Sequence, residues 1–366
     1  MEIDRARRTH AQKDVIAELD TNEDFRQREF PICARKIYCA HAADAPLPRR
    51  VAEAMRDAIE DASTNEKQFE RALGFIADTR RLLADFLGAE TEEISLSGPT
   101  SSGLNAVANG LDWKVGDEVV CYLDDYPADV YPWLGLERKG VAPVLLQTER
   151  LGEITPEIVE RALTKRTRLV ALASANNASG YRIDVETIGK MCAECGILFS
   201  VDGIQTVGAF SIPLRNVDFL SAGAQKWMLG PSGAGILFIK KSRHELLRPM
   251  MVGGWNVMQG AIALLKDVGL SKISDRILSL IATLKSELDP ADFEFLSPDG
   301  SSDHASFLTF RPRRVASEKL VGALAKNDVV VSLRIDRSNR GWIRVSPHFY
   351  NTFAEIERIA EVLNQS

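Results

Sequence analysis

The chain has 366 residues, 45% of them hydrophobic, enough to bury a large core and to divide into two domains. Its formal net charge is −6 and its basic runs are short, such as Arg311 to Arg314, so it offers no electrostatic footprint for nucleic acid and its expected partners are small molecules. The N-terminal stretch MEIDRARRTHAQKDVIAELD is charged where a signal peptide needs an apolar segment, and no apolar run reaches membrane-spanning length, so a cytoplasmic protein is expected.

In chain order, residues 1 to about 28 are polar and helix-prone and read as a surface helix or arm. Ile37-Tyr38-Cys39 is a short strand, and Pro46-Leu47-Pro48 opens a helix, since proline is tolerated in a first turn. Between Asn65 and Leu87 the apolar positions Phe69, Leu73, Ile76, Leu83 and Leu87 recur at helical spacing, with Gly88 as the stop. Strand Ile94 to Ser97 then runs into GPTSSGLNAVANGL, where small hydroxyl residues precede a helix. Backbone N–H groups, hydroxyls and the positive end of a helix dipole together suit a phosphate, although the same residues also serve simply as N-caps.

The next strand, Val119 to Tyr122, ends in LDDYPADVYPW. Strand Pro143 to Gln147 follows, then a helix opened by Thr155-Pro156-Glu157. Leu169 to Ala173 is apolar throughout, the mark of a strand covered on both faces, and it ends in SANNASGYRID. Cys192 and Cys195 lie in the helical pattern VETIGKMCAECG without a second ligand pair, so they and the other three cysteines (Cys33, Cys39, Cys121) are expected to be packing thiols and no metal is expected. Ile197 to Val201 leads to Asp202, and Phe219 to Ser221 leads into AGAQKWMLGPSGAG around Lys226.

This alternation predicts an α/β protein with a mostly parallel sheet between helices, its ligands lying beyond the carboxyl ends of the strands. Thr100, Tyr126, Asn177, Asp202 and Lys226 each follow a strand-like run and are expected to converge there. From about Gly253 the pattern changes: helix Ile262 to Ile281, strand Ala305 to Arg311, helix Glu318 to Ala325, strands Val329 to Arg334 and Trp342 to Ser346, and helix Phe353 to Asn364 suit a smaller α+β domain. The expected division is an N-terminal arm over 1–45 that packs on the small domain, a large α/β domain over 46–252 and a small α+β domain over 253–366.

Lys226 is oddly placed for a surface cation, between small residues and glycines. An amine does covalent work only when partly neutral, and the commonest use of such a lysine is Schiff-base formation with pyridoxal phosphate, PLP. That chemistry needs a carboxylate to keep the pyridine nitrogen protonated, and Asp202 is the candidate. The pair of motifs VDGIQTVGA and DFLSAGAQKWMLGPSGAGIL resembles the fold-type-I PLP enzymes of aminotransferase class V, the group of isopenicillin N epimerase-like proteins, cysteine desulfurases and selenocysteine lyases. The resemblance runs from about Phe30 to the C-terminus and implies a seven-stranded type of sheet and a homodimer with the site at the interface.

It also implies roles. Lys226 would carry PLP, Thr100 and Ser101 would hold its phosphate, and Ser102 stands where many members have Glu. Tyr126 would stack on the pyridine, Asn177 (with Asn176 beside it) and Gln205 would approach the phenolic oxygen, and Gln225 would donate near the phosphate. Arg344 in WIRVSPHFYNT would bind the substrate α-carboxylate, its planar fork matching both oxygens, with Arg334 in VSLR as a second candidate. His41, in the turn His41-Ala42-Ala43, would lie close to the substrate, while His348 is expected to be structural. Many relatives have His where Gln225 stands and Ser where Gly223 stands, and they carry, after a Trp-x-Val element, a segment ending in Gly-Thr that reaches the partner's cofactor phosphate; here Val257 passes at once to Met258-Gln259-Gly260.

The function implied is action on an α-amino acid, in the first place epimerase-like or aminotransferase-like. A C–S or C–Se lyase comes second, because persulfide-forming desulfurases need a C-terminal cysteine and none follows Cys195. A catalytically silent binding protein on the same fold is the third reading.

Overall fold

A computed structural model describes residues 15–64, 68–248, 259–298 and 306–365. Its strands in chain order are β1 (Ile37–Tyr38), β2 (Ile94–Ser97), β3 (Glu118–Tyr122), β4 (Ala142–Leu146), β5 (Thr167–Ala173), β6 (Leu198–Asp202), β7 (Phe219–Gly223), β8 (Gly235–Ile239), β9 (Phe293–Phe295), β10 (Leu308–Pro312), β11 (Val329–Val330), β12 (Ser332–Ile335) and β13 (Gly341–Val345). Seven of them form one sheet in the order β2-β8-β7-β6-β5-β3-β4, parallel except for β8, which runs antiparallel to both neighbours.

The apolar run that predicted β5 has its cause in the packing. Leu169 and Ala171 face one core together with Leu104, Val107, Trp133 and Phe219, and Val170 and Leu172 face the other with Val120, Phe199, Val201 and Leu220. Side chains alternate across a strand, so both sets of positions must be apolar when helices cover both faces. Helices Thr100–Gly110 and Val185–Glu194 supply that cover, the first packed against β7 and β8 and the second against β6.

A second, antiparallel sheet has the order β12-β13-β10-β9. Its inner residues Leu308, Phe310, Ile343 and Val345 join the same hydrophobic cluster as Val201 and Trp227, so the two sheets share one core. The short strand β1 pairs in parallel with β11, and Ala40 bridges Ser346, which ties the segment before the first long helix to the C-terminal sheet.

Three expectations are corrected. The stretch read as a surface helix or arm is partly buried: helices Val15–Thr21 and Glu23–Glu29 bury Leu19 and Arg26, and the Arg26 guanidinium donates to Glu355 at 2.9 Å, a contact with the C-terminal part of the kind expected of the arm. The helix expected over Ile262 to Ile281 is two helices, Gln259–Val268 and Leu270–Glu287, because Gly269 takes a positive φ of 90°. The strand expected over Val329 to Arg334 is interrupted, β11 pairing with β1 and β12 with β13, and β9 was not foreseen. The junction Val257-Met258, residues 1–14 and the start of the strand expected from Ala305 lie outside the described residues.

One close approach fixes the loop on which Lys226 sits. Gly208 has φ of 100°, and a Cβ placed on it would overlap the backbone carbonyl of Trp227. Gly116 has a similar φ of 90° with nothing near its missing Cβ. Gly208→Ala is therefore expected to destabilise by clearly more than Gly116→Ala, whose cost is the backbone term alone, about 1–2 kcal/mol. Urea midpoints of the two variants check this, and equal losses would show that the Trp227 contact yields freely.

Candidate active site

The carboxyl ends of the parallel strands collect the predicted side chains. Asp202 is the last residue of β6, and β6 pairs with β7, after which the chain turns into the loop carrying Lys226. That loop is tight. Leu229 N–H returns to the Lys226 carbonyl at 3.2 Å, Gly230 N–H bonds the Ala224 carbonyl at 2.9 Å, and Leu229 adopts a positive φ of 55°, a conformation unfavourable for a residue with a side chain.

Lys226 is buried, and its amine is pushed down to about 8, chiefly by loss of water and secondly by the positive charge of Arg344; Asp202 pulls it back only in part. Its Nζ lies 5.7 Å from the centroid of the Tyr126 ring, which is exposed at the mouth of the site. Asp202 accepts a hydrogen bond from Ile204 N–H at 2.8 Å, and its backbone carbonyl accepts from both N–H and hydroxyl of Ser174 at 2.8 Å. Burial lifts its carboxyl to about 7 against the opposing pull of that hydrogen bond and of Lys226. The amine and the carboxyl thus share one electrostatic environment, and burial shifts each toward its neutral form.

Helix Thr100–Gly110 begins with Pro99 as its N-cap and no side chain folded back onto its first N–H groups. The hydroxyl of Thr100 accepts from Gly223 N–H at 2.8 Å, which fixes the oxygen and leaves its hydrogen to donate, and Ser101 is half-buried beside it. A simple capping role is thereby set aside, because the hydroxyls do not cap. At Gly223 the missing serine has a structural counterpart: a Cβ there would overlap Oε1 of Gln225, a buried atom with no partner among the described residues. The amide of Gln225 fills the volume that a serine at 223 would need.

Asn177 donates to Asp125 at 3.2 Å, and its backbone carbonyl accepts from Nη1 of Arg344. The neighbouring Asn176 is instead absorbed in the turn, its Oδ1 accepting from the N–H groups of Ala178 and Ser179. Gln205 accepts from the Trp227 indole at 3.0 Å and donates to the Ala42 carbonyl at 3.1 Å, which leaves one amide hydrogen unspent. Arg344 is fully buried with Nε and Nη2 unpartnered among the described residues, and Arg334 has an unpartnered Nε.

His41 is corrected. It is fully buried, Nδ1 meets the Ser346 carbonyl at 2.9 Å, Nε2 meets the Tyr350 hydroxyl, and burial lowers its pKa to about 4, so the ring is neutral with no atom left for a substrate. His348 is likewise closed in, bonding the Trp227 carbonyl at 3.2 Å. Sequence reasoning missed two acids in LDDYPADVYPW. Asp125 accepts from Asn177 and from Tyr126 N–H, and Asp129 is buried with an unpartnered Oδ1, its pKa raised by burial and by the charges of Asp202 and Asp125. The available signal was the position of the segment, directly after strand β3, where the other candidate residues also follow strands.

Residues at the ends of neighbouring parallel strands, with a buried amine, a buried carboxyl and an uncapped helix start between helices and sheet, define a fold-type-I PLP-dependent enzyme. The chain belongs to the aminotransferase class-V family, whose model matches residues 37–260. It is 26% identical to a probable cysteine desulfurase of Pyrococcus abyssi over 94% of this chain and 97% of the relative. It is 30% identical to the cysteine desulfurase IscS of Anaeromyxobacter sp. strain Fw109-5 over 73% of this chain and 72% of that one. Among solved structures, the apo cysteine desulfurase of Thermococcus onnurineus NA1 shares the fold with a TM-score of 0.85 at 24% identity, covering 94% of this chain and 97% of that one. The cystine C-S lyase C-DES, in complex with its reaction product cysteine persulfide, does so at 0.82 and 20% identity, covering 92% and 99%. No helix among the described residues is long and apolar enough to cross a membrane.

The residues present fit PLP. The uncapped helix start and the Thr100 hydroxyl suit a phosphate, the unpartnered guanidinium N–H groups of buried Arg344 suit an anion, and the buried Asp202 carboxyl, lifted by burial, suits a protonated ring nitrogen. In cofactor-free protein the native state keeps a proton on Asp202 that the unfolded chain releases near about pH 4. Its contribution to stability is therefore present below pH 4 and lost as pH rises to about 7. Thermal midpoints of the apoprotein should fall relative to those of Asp202→Asn across that interval, and parallel curves would mean that Asp202 is not the titrating group.

Proposed function

We propose that the chain is a PLP-dependent enzyme that takes an α-amino acid, uses Lys226 as its base for the Cα proton and breaks the bond to a β-substituent, in the manner of a C–S lyase. The observation that carries this reading is the burial of Lys226 beside the Tyr126 ring, with Asp202 and Arg344 near enough to act on its amine, which burial pushes below the ordinary lysine range. Thr100, Ser101, Gln225 and the start of helix Thr100–Gly110 would hold the phosphate, Tyr126 would cover a ring face, Asn177 and Gln205 would approach the phenolic oxygen, and Asp202 would face the pyridine nitrogen. Bound PLP supplies an electron sink for the pair of electrons left at Cα.

This chain's residues do the rest. Arg344, with two N–H groups unspent, takes the α-carboxylate and so fixes the rotation of the amino acid about its Cα. Asp202, which a cationic ring nitrogen would return to its ionised form, would be the residue that holds a proton on that nitrogen. Lys226, depressed toward working pH by burial and Arg344, accepts the Cα proton as a neutral amine and can return it. Epimerisation by a second base on the opposite face finds no support from His41, whose ring nitrogens are both engaged. The desulfurase names of the relatives and the engaged ring of His41 support the cleavage reading over the epimerase-like and aminotransferase-like order that the sequence suggested. Transamination is the second reading, since one lysine suffices to carry a proton from Cα to a neighbouring carbon.

We read the assembly as a homodimer, supported by the exposed apolar side chains of Met55 and Ile59 on helix Arg49–Thr64 and of Leu73 and Phe75 on helix Gln68–Leu87. The division into an arm, a large domain to residue 252 and a small domain beyond it is retained as part of this proposal, in keeping with the two separate sheets.

Lys226→Ala is expected to lose the visible absorbance that the lysine–cofactor linkage gives and to lower turnover by about 10²–10⁴-fold with the circular dichroism unchanged. Turnover that survives in this variant would take the lysine out of the chemistry. Product assays on a panel of amino acids, with and without a keto acid, separate the two readings: pyruvate or sulfide released without an acceptor marks cleavage, and strict dependence on the keto acid marks transamination.

A further inference from the structure

The Tyr126 ring is 53% exposed, so packing does not fix it. Its place near Lys226 depends on the backbone of the turn Leu123-Asp124-Asp125-Tyr126, between β3 and helix Pro127–Leu134. From the parallel-sheet side that turn is held at two residues. Asn176 Nδ2 donates to the Asp124 carbonyl at 3.1 Å, and the Asp125 carboxylate takes Tyr126 N–H at 2.8 Å and the Asn177 amide at 3.2 Å. A further tie comes from the antiparallel sheet. Nη2 of Arg337 donates to the Leu123 carbonyl at 2.7 Å, and its Nε ion-pairs at 2.5 Å with Oδ1 of Asp124, an oxygen shielded from water.

Arg337 lies in the turn between β12 and β13, and the turn is built to hold it outward. The Asp336 carboxylate folds into the turn, accepting from Ser338 N–H at 2.9 Å, Arg340 N–H at 2.9 Å, Arg340 Nε at 2.8 Å and the Trp342 indole at 3.0 Å. Asn339 takes the positive φ of 58° that closes the turn, a conformation asparagine tolerates better than most residues. The neighbouring Arg340 is drawn back onto Asp336 and the Trp342 ring. Arg337 instead reaches a carbonyl 214 residues away in the chain. Its guanidinium is 62% exposed, and an exposed ion pair contributes little to folding stability. A planar guanidinium that grips a carbonyl and a carboxylate together does fix orientation, which the point charge of a lysine does less well.

Resting on the PLP reading above, we infer that Arg337 is a positioning residue: from the β12–β13 turn it clamps the turn that presents Tyr126, and so holds that ring against the cofactor face. Arg337 touches no reacting atom and acts through Tyr126. The clamp joins the sheet that carries Arg344 to the loop that carries the aromatic cover, so the two sides of the site mouth keep one spacing.

The test uses the full chain with and without PLP. Hydrogen exchange of the cofactor-free protein reads the turn directly: the amides of residues 123–126 should exchange about tenfold faster in Arg337→Gln, with those of β6 unchanged. PLP affinity, followed by visible absorbance, should weaken by about fivefold to tenfold in the same variant. Tyr126→Ala should weaken it at least as much, and the double variant should be no weaker than Tyr126→Ala alone, because the arginine acts through the ring. Arg337→Lys keeps the charge but loses the fork, and should recover part of the affinity. Circular dichroism checks each variant for folding. Should Arg337→Gln not fold, Asp124→Asn removes the ion pair from the other side and should shift both measurements in the same direction by a smaller factor. Unchanged exchange at residues 123–126, or losses of PLP affinity that add in the double variant, overturns the inference. If the wild type takes up no PLP, the cofactor reading fails, and the exchange comparison still decides whether Arg337 holds the turn. PLP bound equally well by the wild type and Arg337→Gln leaves the cofactor reading and sinks this one.

Discussion

The site depends on the burial of one amine. An ammonium taken out of water is disfavoured unless a partner repays the lost hydration, and Lys226 has its carboxylate, Asp202, weakened by the same burial. The two guanidiniums tip the balance further, because a lysine facing two positive groups gains by shedding its proton. The fold thus shifts an amine toward its neutral form without a dedicated base, and the electrostatic cost falls chiefly on Arg344, which is buried with two N–H groups unpartnered among the described residues.

Such a balance needs a rigid frame. Trp227, next to the lysine, is held by Gln205 through its indole and by His348 through its carbonyl. Gln205 in turn grips the Ala42 carbonyl, Ala45 N–H bonds the Gln225 carbonyl at 2.7 Å, and His41 bridges Ser346 and Tyr350. Tyr350 stacks on Phe30 with centroids 4.0 Å apart. Three segments far apart in the chain, at 30–45, 205–227 and 346–350, close on one another around the lysine loop. His41 and His348 belong to this frame, and their neutrality is what allows two imidazoles to sit with centroids 5.3 Å apart in a dry core.

How much of this was legible follows from the physics. Strand ends were readable because the sheet is covered on both faces, so each core strand is apolar until the residue that leaves the sheet, as at Asp202. The lysine and its carboxylate stood out because a charged residue among glycines and alanines has no ordinary reason to be there. Breaks that depend on one backbone angle, such as Gly269, were invisible in the hydrophobic period, which runs through them. Hydrogen-bond saturation was invisible as well: His41 could be placed near the site from its turn, but only coordinates show both ring nitrogens engaged. Asp125 and Asp129 were missed for a related reason, since their importance lies in what they face across the sheet.

The placement of the thiols bears on what kind of bond cleavage such a site can support. A sulfur taken up as a persulfide needs a thiolate that reaches the reacting carbon. Cys39, Cys121 and Cys192 are buried, and burial raises each thiol, Cys121 and Cys192 to about 12. Cys33 is half-buried and pushed up to about 12 as well. Cys195 is exposed, but it caps the C-terminus of the helix that leads into β6, whereas Asp202 closes that strand; five strand residues, about 16 Å of rise, separate the two edges of the sheet. The reactive thiol and the reactive amine therefore lie on opposite rims. On the cleavage proposed above, the sulfur would leave to solvent or to another molecule, and the chain's own cysteines are placed for no covalent capture of it.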